Sequence, residues 1–242
     1  KDSAKDFCTA IAPITQLREL RDTENADGFD LATWSSMVEL GWAAIPWGEE
    51  HGGLAFGYKG LGVVTEESGR TLTASPLFAS VWVGGTLVNI GGSQSLKSEI
   101  LPSVAAGELK LALALEESHR HNPDNIATSA SSSADGFALS GKKTFVLDGH
   151  IAERLIVVAR TSGEQRARAG LTLFMVDRDA PGVSVTRTIM ADSRNAANVS
   201  LDNVAVSADA VIGTVDGGAD ILDPALDIAR IGLAAEMLGG TL

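Results

Sequence analysis

Apolar residues recur at helical intervals through the first hundred positions. Ser3 to Leu17 sets Phe7, Ile11 and Ile14 on one side, and Leu31 to Leu40 does the same with Trp34, Met37, Val38 and Leu40. Each stretch predicts an amphipathic helix. The polar RDTENADGFD between them reads as a loop, as does IPWGEEHGGLAFGYKG, which is rich in Gly and opens on Ile-Pro. Helical spacing returns over Tyr58–Arg70 and again over Ser93–Ala106, with Leu96, Ile100, Leu101 and Val104. Ala79–Gly91 is small and apolar throughout (VWVGGTLVNIGG), which suits a helix buried on most sides.

Near Leu109 the period falls to two. LKLALALE alternates, TSASSS follows, and GFALSGKKTFVLDG reads as two strands turning at Ser140-Gly141. RLIVVAR, LTLFMVD, VSVTRTI, SRNAANVSLDNVAV and the Ser207–Ile212 segment continue the strand pattern, with a turn at Pro181-Gly182. Short strands at regular spacing predict a sandwich or barrel. From Gly217 the helical period resumes through Ile221, Leu222, Leu226, Ile228, Ile231, Leu233 and Met237. The expected organisation is therefore α+β and multidomain. Residues 1–109 form a helical domain, 110–216 a β-barrel or sandwich, and 217–242 the first helix of a further domain. The chain opens and closes inside a pattern and reads as a piece of something longer.

Composition narrows the function. A balance of 45% hydrophobic and 21% charged residues is that of a folded globular protein. A net charge of −12, with no long Lys/Arg run, argues against nucleic acid or anionic lipid as partner. The one cysteine, Cys8, rules out an intrachain disulfide, and a packing role is expected of it. With no signal peptide and no apolar run of roughly 18 residues, the expectation is a cytoplasmic protein outside the membrane.

The chemistry-bearing residues gather in LALALEESHRHNPDN, Leu111 to Asn125. Taken alone, the stretch admits a metal site from His119, His121 and Glu116 or Glu117. It also admits acid–base work by Glu116 and His119, a solvated loop at a strand end, or a remodelled cofactor contact. Elsewhere, Asp192 and Arg194 read as a structural ion pair, Glu66 and Glu67 as partners of Arg70, and Gly52-Gly53 as a turn.

Four stretches carry a resemblance to the acyl-CoA dehydrogenase family. They are WSSMVELGWAAIPWGEEHGGLAFGYKGLGVVTEESGR, SGKKTFVLDGHIAERLIVVART, DSRNAANVSLDNVAVSADAVIG and LDIARIGLAAEMLGG. They look like the family's N-terminal block, its Gly-x-Lys-x-(Phe/Trp) hairpin, its Asp-(Thr/Ser)-Arg signature and the opening of its C-terminal helical domain. LALALEESHRHN then aligns with the family's Thr-Glu-Pro-x-x-Gly-Ser-Asp. Leu115 stands for Thr, Glu117 for Pro, Arg120-His121 for Gly-Ser and Asn122 for Asp, while Glu116 is kept.

The resemblance implies FAD as cofactor, with Leu113, Leu115, Glu116, Phe145 and Leu147 at the flavin. It places His121, Asp227 and Arg230 toward the substrate. Phe145 keeps the aromatic plane expected beside the isoalloxazine. Leu115 and Leu147 replace threonines, so a backbone donor can survive at the first, but the hydroxyls are lost at both. The catalytic base stays unnamed: one family position for it is Ala229 here, and the commoner one lies beyond Leu242. The implied activity is α,β-desaturation of an acyl-CoA thioester, with electrons passed to an electron-transfer flavoprotein. The implied assembly is a homo- or hetero-tetramer. Two alternatives stand beside a self-sufficient enzyme: a non-catalytic partner subunit with a decayed flavin site, and a flavin-free binding or scaffold domain.

Overall fold

The computed structural model describes residues 1–242. Six α-helices precede the sheet: α1 (Asp2–Ala10), α2 (Ile14–Asp22), α3 (Leu31–Glu39), α4 (Gly57–Thr71), α5 (Thr86–Gly91) and α6 (Gln94–Ala105). The first expected helix is in fact two. Pro13 lacks an amide hydrogen and fixes φ, so the chain breaks there and restarts with Pro13 as the N-cap of α2. Asp30 and Ser93 cap α3 and α6, each side chain accepting from the amide three residues on.

The apolar stretch before α5 also differs from an ordinary helix. Phe78–Gly85 is π-helical, and the wider turn lets Gly84 and Gly85 sit against Leu111 and Trp47, where added Cβ atoms would collide.

Eight strands follow: β1 (Leu111–Ala114), β2 (Ser129–Ser133), β3 (Gly136–Leu147), β4 (Arg154–Arg160), β5 (Leu171–Asp177), β6 (Val183–Ile189), β7 (Asn195–Ser207) and β8 (Val211–Ile212). They pair in the order β6-β7-β3-β2-β4-β5-β8, with β1 parallel to β4. The path ends in two edges, so the sheet is not a closed barrel. Strand periodicity predicts faces but not which strand meets which, and closure depends on that pairing. The sheet does fold over itself. Phe137 on β3 meets Phe174 on β5 edge to face at 5.1 Å, although these strands are not neighbours.

Ser140-Gly141 is not a turn. β3 runs through it, and the register with β7 slips there by one residue. Gly141 is extended, and the close approach of Thr128 leaves no room for a Cβ.

β4 has no solvent face. Leu155, Val157 and Ala159 pack inside the folded sheet, while Ile156 and Val158 join the larger core with the helices. That explains why RLIVVAR is apolar without alternation.

The last helix, α7 (Gly218–Gly240), returns across the N-terminal helices. Gly69 of α4 and Gly239 of α7 bring the two backbones so close that a Cβ at either would strike the other helix, and Gly232 rests on the Trp82 ring. No helix is long and apolar enough to cross a membrane.

Candidate functional site

β3 does not end as a regular strand. Between Lys143↔Val199 and Val146↔Ala197 the register slips by one residue, the mark of a β-bulge. Within it Phe145 has φ 51, a left-handed conformation that costs a non-glycine residue energy. The amide of Thr144 turns away from β7 and donates to the Glu116 carbonyl at 2.8 Å. The bulge thus aims Phe145 outward, where it stays 41% exposed while the next residue, Val146, is fully buried.

Phe145 faces a cavity of about 410 Å³, a usual size for a small-molecule site. β1 contributes Leu113, and the segment after it Leu115, Glu116 and His121. β3 adds Leu147, the π-helical turn Phe78, Ala79 and Val83, and α7 Leu226, Ala229, Arg230 and Leu233. Ten of the thirteen lining residues are hydrophobic, so the polar chemistry rests on Glu116, His121 and Arg230. None of the thirteen side chains carries a hydroxyl or an amide. Of the eight residues that the resemblance assigns to cofactor or substrate, only Asp227 stays off the wall. It lies on the exposed side of α7 and accepts from Arg230 Nη1 at 2.5 Å.

The Leu115–Thr128 segment is fixed by its two glutamates. Glu117 accepts from the amides of Ala127 and Thr128 at 2.6 and 2.9 Å, and from Lys143 Nζ at 2.7 Å. Lys143 is fully buried and also donates to the Leu115 carbonyl at 3.1 Å. Burial pulls the Lys143 ammonium down to about 8 against the opposing pull of Glu117. Burial pushes the Glu117 carboxyl up, but the charge and hydrogen bonds of Lys143, with those of Thr128 and Ala127, outweigh it and hold it low.

Glu116 faces the other way. Its Oε1 meets His121 Nδ1 at 2.5 Å and its Oε2 accepts from the Asn122 amide at 3.1 Å. The expected pairing of Glu116 with His119 is therefore replaced by His121. His119 is exposed, because the loop turns over a Ser118–Arg120 hydrogen-bond pair. No three His, Cys, Asp or Glu side chains come together as metal ligands would.

Asp192 and Arg194 do not form the expected side-chain pair either. Asp192 accepts from the Arg194 amide, and the guanidinium pairs with Glu236 of α7. Arg70 does pair with both Glu66 and Glu67. A second cleft of about 210 Å³ shares Phe78, Ala79 and Leu147 with the cavity. It contains Asp148, whose carboxyl burial pushes up to about 7, with Asn195 and Arg194 pulling the other way.

The residues present suit the apolar face of a flavin: an aromatic plane on a bulge, with leucines from two strand ends beside it. They supply no side-chain hydroxyl for its polar edge, which leaves backbone groups to serve it.

Residues 1–108 match the acyl-CoA dehydrogenase N-terminal domain and residues 112–204 the acyl-CoA dehydrogenase middle domain. The acyl-CoA dehydrogenase FadE12 of Mycobacterium tuberculosis is 30% identical over 210 residues, covering 85% of this chain and 54% of that protein. An acyl-CoA dehydrogenase of Bacillus subtilis is 28% identical, covering 97% of this chain and 62% of its own length. The chain thus spans between half and two thirds of these relatives. Among solved structures, a glycine-to-alanine variant of the Tcur3481-Tcur3483 steroid ACAD aligns with a TM-score of 0.83 at 30% identity, covering 98% of this chain and 60% of that one. The ChsE4-ChsE5 complex from Mycobacterium tuberculosis shares the fold, with a TM-score of 0.85 at 24% identity over 98% of this chain and 61% of that one. With both domain models matched in order over most of its length, the chain belongs to the acyl-CoA dehydrogenase family.

Proposed function

We propose that the cavity is one side of an FAD-dependent site for α,β-dehydrogenation of an acyl-CoA thioester, completed within an assembly containing this chain. What supports the reading is convergence. Leu113, Leu115, Glu116, His121, Phe145, Leu147, Ala229 and Arg230 come from three separate stretches of sequence and line one cavity.

FAD, when bound, supplies the hydride acceptor. The residues of this chain position and enclose the reactants. Phe145 offers its ring to the flat face of the cofactor, and Leu113, Leu115 and Leu147 keep water from that face. Arg230 brings positive charge to the thioester end, with Asp227 fixing its side chain through their hydrogen bond. Ala79 and Ala229 leave the wall low, which favours a bulky acyl group, in keeping with the steroid ACAD among the structural neighbours. The reducing equivalents pass to an electron-transfer flavoprotein.

A second reading, the partner subunit whose own flavin site has decayed, draws on Leu115, Leu147 and Ala229, where hydroxyls and a carboxylate are missing. It also draws on the two-component names of the structural neighbours.

Flavin absorbance separates the two. Full-length protein purified alone and retaining flavin supports a self-contained site. Retention only after co-expression with a homologous chain supports the partner reading. Colourless protein in both preparations defeats flavin chemistry at this cavity.

A further inference from the structure

The cavity's polar equipment is sparse and specifically arranged. Of its three polar side chains, two are bonded to each other: His121 Nδ1 lies 2.5 Å from Glu116 Oε1. The carboxylate can only accept, and its second oxygen is already held by the Asn122 amide. The Nδ1 position of neutral His121 therefore carries the proton, and Nε2 keeps its lone pair. Nε2 has no hydrogen-bond partner in the protein, and His121 is among the residues that line the cavity. Arg230, on α7, lines the same apolar space. An imidazole locked by a carboxylate at one nitrogen and open at the other is the arrangement of a general base.

We propose that His121, oriented by Glu116, is the acid–base group of this cavity and exchanges the α-proton of an acyl thioester. The thioester rests on the function proposed above, whereas the dyad rests on the geometry alone. The α-C–H bond breaks heterolytically, and its electron pair moves onto the thioester carbonyl as an enolate. The proton goes to His121 Nε2, and the Arg230 guanidinium offsets the charge developing on the enolate oxygen. Return of a solvent-exchanged proton from Nε2 to the α-carbon closes the cycle without any redox change. Glu116 is a positioning residue: it touches the imidazole and sets its tautomer.

The test is incorporation of deuterium at the α-carbon of hexanoyl-CoA in heavy water, followed by mass spectrometry on the full-length protein. His121→Gln is expected to slow exchange by about 100-fold or more, the usual worth of a positioned general base. His119→Gln, two residues away and exposed, leaves the rate unchanged. Glu116→Gln slows exchange roughly 10-fold or more and moves the His121 proton off Nδ1 in nitrogen NMR spectra. Wild-type protein that exchanges nothing, or a His121→Gln variant that exchanges as fast as wild type, overturns the proposal. Exchange needs no flavin. Protein that exchanges yet stays colourless both alone and after co-expression keeps this inference and defeats the flavin reading, while yellow protein that does not exchange does the reverse.

Discussion

Glu116 and Glu117 leave the end of β1 side by side and enter opposite surroundings. Glu117 turns inward, where two amides and the buried Lys143 use its oxygens. Glu116 turns to the cavity and holds one imidazole nitrogen, leaving the other open to whatever the cavity takes. One carboxylate closes a structure and the other opens onto chemistry. A charge in a cluster is thus assigned by its partners' burial and unused valences, not by its residue type.

The largest effect is expected on the inward side. Glu117→Gln leaves the Lys143 ammonium buried without its contacting counter-charge, at a cost of about 3–5 kcal/mol. It should appear as a lower denaturation midpoint with unchanged slope. Adding Lys143→Met removes the stranded charge and should recover most of the loss. If Glu117→Gln unfolds where wild type does, the inward pair is not what fixes the segment, and the contrast with Glu116 collapses.

The same pair sets a pH dependence. The Lys143 pKa falls from 10.5 to about 8 on folding, so between those values the unfolded chain binds more protons than the folded one. Stability from this group is complete above 10.5, is lost as pH falls through 8, and amounts to about 3 kcal/mol. Burial also pushes the Tyr58 hydroxyl and the Cys8 thiol up from their ordinary values, so they too make stability depend on alkaline pH. The measurement is therefore the difference between wild type and Lys143→Met, which should show the rise with pH in wild type only.

On the cavity side, Leu147→Thr restores a hydroxyl to a wall that has none. A net hydrogen bond of about 1 kcal/mol predicts roughly five-fold tighter flavin retention, read as the flavin-to-protein absorbance ratio after gel filtration. An unchanged ratio means that Leu147 does not face the flavin's polar edge.

Much of this was legible in the sequence because it is local. Helical spacing in α3, α4, α6 and α7 and the apolar runs of β4 and β5 predict those elements, and the motifs around Leu115 and Phe145 point to residues that do share one cavity. Other features depend on distant pairing. The bulge that aims Phe145 exists only against β7, and the Ser140-Gly141 slip, read as a turn, likewise needs its partner strand. Arg194 finds Glu236, forty-two residues on, instead of Asp192. Which histidine reaches Glu116 depends on how the loop turns over Ser118, and no spacing rule chooses His121 over His119. The break at Pro13 is the exception, since proline's missing amide was there to be read.

The smallest expected effect is the sharpest test of the contrast. The His121–Glu116 pair is short, yet the histidine is 59% exposed, and exposed ion pairs contribute about 0–1 kcal/mol. Substituting His121 with Gln removes no buried apolar group and strands no buried charge, because Glu116 keeps the Asn122 amide. Stability should therefore stay within about 0.5 kcal/mol of wild type, against several for Glu117→Gln. A loss of the larger size would make the cavity-facing pair a second structural clamp like its neighbour, and no unused role would remain for the imidazole. A small loss, measured on the same protein in which α-proton exchange is followed, leaves the ring's position at the cavity wall in need of a reason other than folding.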